Sequence, residues 1–155
     1  MDSYGSGSSG AVIAAIIAVY AAFILVELII LVGAYVLMSI ALSTFFRKVG
    51  VQPWIAWVPY YRTWKWLEVG GQQGWFALLG LIPGGSIVTT VFLCIGMYRT
   101  DIAFRKQGEF VILGIFLPWL WCFFLGSSSE VYQPELITAA GYPPPLAGFG
   151  SAAAV

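Results

Sequence analysis

Histidine is absent from this chain, and charged side chains make up only 9% of its 155 residues, seven basic and seven acidic. Without imidazole there is no histidine-ligated haem, no Ser-His triad and no HExxH zinc site. There are two cysteines, Cys94 and Cys122, each inside an apolar run. Two thiols cannot complete a four-ligand metal site, and both are expected to act as small hydrophobes, unlinked by a disulfide. No cofactor and no metal are expected. A soluble domain carries about 25% charged residues, so this chain could not cover a water-facing surface. Its balanced charge leaves no basic patch for nucleic acid. A soluble enzyme, a nucleic-acid binder and a disordered regulator are therefore excluded. What the sequence has is 60% hydrophobic and 17% aromatic residues, in a length that allows one compact unit. That composition predicts an all-α integral membrane protein.

Residues 1–10, MDSYGSGSSG, read as a flexible Ser/Gly segment. They lack the positive n-region of a signal peptide, so the apolar run behind them is expected to stay as an anchor. A helical membrane domain is predicted over 11–126 and a Pro/Gly/Ala-rich tail over 127–155. The first apolar run, Ala11 to Phe46, is interrupted only by Glu27 and ends at Arg47 and Lys48. Its 36 residues exceed the about 20 that a bilayer needs. Counting back from Phe46 makes Glu27–Phe46 the expected span of one long N-terminal transmembrane helix and puts Glu27 near the far interface. The surplus from Ala11 to Val26 must then tilt, kink or lie against something else.

The next stretch carries Trp54, Trp57, Tyr60, Tyr61, Trp64 and Trp66, with Arg62, Lys65 and Glu68 recurring every third residue. Rings of this type concentrate at headgroup level, and the pattern predicts an interfacial amphipathic helix broken by Pro53 and Pro59. Gly74 to Met97 is apolar and split by Pro83-Gly84-Gly85. It reads as a helical hairpin that dips into the bilayer, with a single kinked crossing as the alternative. After a charged connector containing Asp101, Arg105, Lys106 and Glu109, the run Phe110–Leu125 is the expected final transmembrane helix. The tail beyond Gly126 is expected to be extended. All seven basic residues lie between Arg47 and Lys106. The positive-inside rule then puts both connectors in the cytoplasm and both termini outside a bacterial cell membrane, in a multi-pass arrangement.

The order Trp54, Val58-Pro59-Tyr60-Tyr61, Gly70-Gly71, Gly74-Trp75-Phe76, Leu81-Ile82-Pro83, Ala103-Phe104 and Phe116-Leu117-Pro118 resembles a family of small actinobacterial polytopic membrane proteins of unknown function. It is also similar to the membrane region that precedes the catalytic part of some type I signal peptidases. Arg62 and Ser86 stand where the family has asparagine. The resemblance implies a membrane architecture and assigns no activity. Protease chemistry is not expected, because the 29 residues past Gly126 hold no Ser/Lys pair.

Glu27 is a candidate intramembrane site, since a carboxylate in an apolar helix is costly unless paired or protonated. An outer-interface carboxylate is the plainer reading. Ala14, Ala18 and Ala22 share one helix face and offer either a docking surface for another subunit or packing within this protein. Trp54, Trp57, Arg62, Trp64, Lys65 and Trp66 are candidates for contact with anionic headgroups or for ordinary anchoring. Asp101 and Arg105 have the i, i+4 spacing of a helix-supporting pair. Pro143–Pro145 could lie on a partner.

Three functions are compatible with the sequence. The first, a non-catalytic accessory or scaffolding subunit of a larger bacterial membrane complex, fits the surplus apolar helix and implies lipids and other membrane subunits as partners. The second is a small homo-oligomeric transporter or channel using Glu27. The third, a membrane enzyme, would need a convergent polar set, and only Ser39, Ser43, Thr44, Thr89 and Thr90 present themselves, with no base near them.

Overall fold

The computed structural model describes residues 5–150, and every regular element among them is helical. The chain divides into two units, Met1–Val36 and Leu37–Val155. Helix α1, Gly5–Val49, contributes to both. No proline interrupts it, and only Gly33 stands in its interior beyond Gly10. Residues 1–4 of the expected flexible segment lie outside the described residues. From Gly5 onward the backbone is helical.

In the first unit the helix is apolar on every side and covered on none. Val12, Ile16, Tyr20, Phe23, Ile29 and Val32 are each at least half exposed. A helix hydrophobic all round belongs in a core or a membrane. The exposed apolar stretch from Ala11 to Val36 would be about 39 Å long at about 1.5 Å per residue, enough to cross about 30 Å of hydrocarbon with some tilt. This stretch, including the part expected to be surplus, is the better candidate span. In the second unit, by contrast, α1 continues with Ser39, Ala41, Leu42, Phe45, Phe46 and Val49 fully buried in protein. The second half of the expected Glu27–Phe46 span thus belongs to the packed second unit.

The second unit is built on short elements. A 3₁₀ turn over Pro53–Trp57 leads into α2, Tyr61–Val69, and a second 3₁₀ stretch over Gly74–Leu81 precedes α3, Gly85–Ala103. Gly84, with φ of 81°, makes the left-handed turn between the last two. The two arms fold together: the Thr89 hydroxyl donates to the Phe76 carbonyl at 2.8 Å, and the Phe76 and Phe92 rings stack at 4.0 Å. The hairpin is therefore present, but its arms are unequal, about 16 Å of 3₁₀ helix against about 28 Å of α-helix. Its outer surface stays apolar, with Leu81, Ile82, Ile87 and Val91 exposed. Among the described residues, α3 is, with α1, one of two helices long and apolar enough to cross a membrane.

The expected final transmembrane helix is not one helix. A 3₁₀ turn at Gly108–Phe110 leads into α4, Val111–Phe116. The chain then breaks at Leu117 (φ −135°, ψ 65°) before α5, Pro118–Leu125. Pro118 has no N–H to continue α4 and disfavours a helical residue before it. The bend brings Trp121 back over Gly114, where an added Cβ would lie 3.1 Å from the indole.

The tail is not simply extended. It carries α6, Glu135–Ala139, and buries Ile137 completely. Its backbone bonds to the connectors: Gln133 N–H to Ala103 O, Leu146 N–H to Glu68 O and Gly150 N–H to Val49 O, all at 2.8–2.9 Å. The Lys106–Glu130 ion pair, at 2.7 Å, adds to these. Hydrogen bonds of this length set the tail beside the basic connectors.

At the crossing of α2 and α3 the backbones touch through glycine. A Cβ on Gly70 would sit 2.3 Å from the Gly96 Cα. Gly70→Ala should lower stability in detergent by about 1–3 kcal/mol through overpacking. Gly33→Ala, in open space on α1, should leave it unchanged or slightly raised. Thermal unfolding of the two variants checks this, and equal melting temperatures would count against the close crossing.

Candidate functional site: an aromatic surface beside a buried acid

The aromatic stretch reaches its positions through two turns. Pro53 opens the 3₁₀ turn. Tyr60 then adopts φ of 61°, a left-handed conformation unusual for a bulky residue, and redirects the chain into α2. The result exposes Trp54, Trp57, Tyr60 and Tyr61. Trp54 and Tyr61 pack with ring centroids 6.1 Å apart.

The polar stripe of α2 lies next to these rings. Glu68 receives Lys65 Nζ and Trp64 Nε1, each at 2.7 Å. Lys65 also stands 5.8 Å from the Tyr61 ring centre. Arg62 reaches back to α1, with Nη1 donating to Ser39 Oγ at 3.4 Å. Arg62 and Lys65 are thus held near the exposed rings, an arrangement suited to a headgroup layer. Trp64 and Trp66 have different placements. Trp64 packs against Gly74, where an added Cβ would lie 2.2 Å from the indole. Trp66 is 6% exposed and is unavailable to lipid. Ala14, Ala18, Ala22 and Glu27 lie exposed along the first unit's helix.

Beneath this surface sits a residue that sequence reasoning misassigned. Asp101 is fully buried on the last turns of α3. Its Oδ1 accepts a hydrogen bond from Trp121 Nε1 on α5 at 2.9 Å, while Oδ2 has no protein partner among the described residues. Trp121 packs on Phe45 at 5.3 Å and on Trp66 at 6.0 Å. Arg105 does not pair with Asp101. The helix ends at Ala103, Arg105 takes φ of 56°, and its Nε donates to Gln133 Oε1 at 2.8 Å. The i, i+4 rule requires a helix through both residues, and here the helix stops between them. No local pattern marks Asp101 as buried; the nearest signal is an acid nine residues before another apolar run.

Arg99 joins this centre to the tail. Its Nη1 donates to the carbonyls of Gly70 and Gly71 at 3.5 and 3.3 Å, satisfying the end of α2. Its guanidinium lies 5.3 Å from the centre of the Tyr142 ring. Tyr132 donates to Gly148 O at 2.9 Å. Burial, and secondarily the Glu135 carboxylate, pushes the Tyr132 hydroxyl above the usual phenol range, so it stays a donor.

The hydroxyls considered for catalysis bond to backbone carbonyls. Ser43 donates to Ser39 O, Thr44 to Ala41 O, Thr89 to Phe76 O and Thr90 to Ser86 O. Ser39 is buried and accepts from Arg62. Among the described residues no three His, Cys, Asp or Glu side chains gather where they could hold a metal ion. What the arrangement can do is join α1, α2, α3 and α5 around one indole and present aromatic and basic groups outward.

A family model matches residues 54–135; it describes a family of unknown function, DUF5684. No curated protein and no solved structure matches the chain. The matched segment runs from the exposed Trp54 to the start of α6 and contains Asp101 and Trp121.

Asp101→Ala should cost about 1–3 kcal/mol, since it leaves the Trp121 N–H buried without an acceptor. Asp101→Asn keeps an oxygen there and should cost less. Denaturation of both variants in detergent, followed by tryptophan fluorescence, checks the order. An alanine variant as stable as the parent would remove Asp101 from the account.

Proposed function

The chain belongs to this family of unknown function, whose matched segment covers just over half of it. From that premise we propose that it serves as a non-catalytic accessory or scaffolding subunit of a larger membrane protein complex in a bacterial cell membrane. One observation carries the reading: the apolar surface of α1 from Val12 to Val32, exposed on every face. In water such a surface is untenable, and at a few hundred Å² or more an exposed apolar patch marks an interaction site. Lipid takes most of it. The face of Ala14, Ala18 and Ala22 permits close approach of another helix, which lipid chains do not need.

In this proposal the N-terminal run crosses the bilayer, the Gly74–Leu81 and α3 hairpin dips into it, and Trp54, Trp57 and Tyr61 sit at headgroup level. The basic connectors and the tail bonded to them lie in the cytoplasm, following the positive-inside rule. Homo-oligomeric transport through a ring of Glu27 is the second reading. It is favoured by the position of this carboxylate on the exposed apolar helix, where a charge needs a partner.

The test is native electrophoresis with mass spectrometry on mildly solubilised membranes carrying a tagged copy. The proposal expects migration in a large assembly with defined partners. Replacing Ala14, Ala18 and Ala22 together by Leu should abolish that co-migration while leaving the protein in the membrane. A parent that migrates alone or only with copies of itself contradicts the subunit reading, and flux assays on Glu27→Gln then decide on transport.

A further inference from the structure

The second unit holds a cleft of about 520 Å³, within the roughly 300–1,000 Å³ typical of small-molecule sites. Its lining includes Thr44, Arg47 and Lys48 from the end of α1, and Ser128, Glu130 and Tyr132 from the segment after α5. We infer that this cleft binds a phosphate group, and specifically the phosphodiester of an anionic phospholipid.

The charge in the cleft favours an anion. Arg47 is exposed and makes no hydrogen bond or ion pair to the described residues. Lys48 Nζ reaches only the Ser128 carbonyl, at 3.5 Å. The one carboxylate of the lining, Glu130, is already neutralised by Lys106 at 2.7 Å. Two cations therefore remain uncompensated, and Ser128 lines the same cleft.

A plainer role for Arg47 and Lys48 would be to complement the carbonyl end of α1. The backbone takes that role in part: Phe46 O accepts from Val51 N–H at 2.8 Å and Val49 O from Gly150 N–H at 2.9 Å. With these carbonyls satisfied, both side chains are left for a ligand. Two adjacent basic groups suit a phosphate, which accepts several charge-assisted bonds at once. Basic pockets on the cytoplasmic side of membrane helices take phospholipid headgroups for the same reason. The site is separate from the Trp54–Lys65 surface and stands whether or not the protein belongs to a larger complex.

The full chain in neutral detergent would be titrated with phosphatidylglycerol, phosphatidylcholine and inorganic phosphate, with bound species counted by native mass spectrometry. Phosphatidylglycerol should bind in preference to phosphatidylcholine, and Arg47→Gln with Lys48→Gln should weaken it roughly tenfold or more. Arg47→Lys with Lys48→Arg, which keeps both charges, should retain binding, and Arg105→Gln, away from the cleft, should not alter it. Saturable displacement by inorganic phosphate would assign the same site to free phosphate. If the double glutamine variant binds phosphatidylglycerol as the parent does, or if neither phosphatidylglycerol nor phosphate binds the parent, the inference is overturned.

Discussion

The Trp121 indole, fully buried with its N–H donating to the equally buried Asp101, is the contact on which the second unit depends. Phe45 from α1 and Trp66 from α2 pack on the ring, and the acid that receives it comes from α3. Four helices too short or too apolar to stand alone thus share one centre. The geometry around that ring sets the rest. The chain breaks at Leu117 and folds back, so that Trp121 lies over Gly114. The Gly70–Gly96 contact keeps α2 close to α3. A buried carboxyl is tolerated there because it holds a specific donor, and removing either partner would strand the other.

Apolar surface is distributed in two ways. Around Trp121 it is covered by protein, down to zero exposure at Leu42, Phe45 and Leu125. On α1 before Leu37 and on the outer side of the hairpin it is exposed among the described residues. The tail strengthens this division at the polar end. It bonds to the ends of α1, α2 and α3, and Arg99 is shared between the carbonyls that close α2 and the Tyr142 ring.

Much of this could be read from residue order. The proline-free apolar run predicts α1, Pro83-Gly84-Gly85 predicts the turn of the hairpin, and Pro118 marks where the last run breaks, although its composition suggests one helix. The family segment begins at the Trp54 that carried the resemblance. What escaped depends on contacts far apart in sequence. Asp101 and Arg105 look like a helix pair until the helix ends at Ala103. Trp54 and Trp66 are the same residue type in one aromatic cluster, yet one is exposed and the other packs on Trp121, 55 residues on. The tail's composition suggests an extended chain because Pro, Gly and Ala dominate it. Its attachment rests on Tyr132, Ile137 and backbone donors, which composition does not weigh. Hydropathy does not separate burial in protein from burial in lipid, and Leu42, Phe45 and Phe46, inside the expected span, are buried in protein.

The account's central claim is that the connectors and the tail form one polar end of the second unit, with the hairpin tip in the bilayer. Cysteine labelling in oriented membrane vesicles tests it most directly. With Cys94 and Cys122 replaced, single variants Gln107→Cys, Ser129→Cys and Leu81→Cys would be treated with a membrane-impermeant maleimide from each side in turn. The account predicts that Gln107→Cys and Ser129→Cys react from the same side and that Leu81→Cys reacts from neither. Labelling of Gln107→Cys and Ser129→Cys from opposite sides would contradict it.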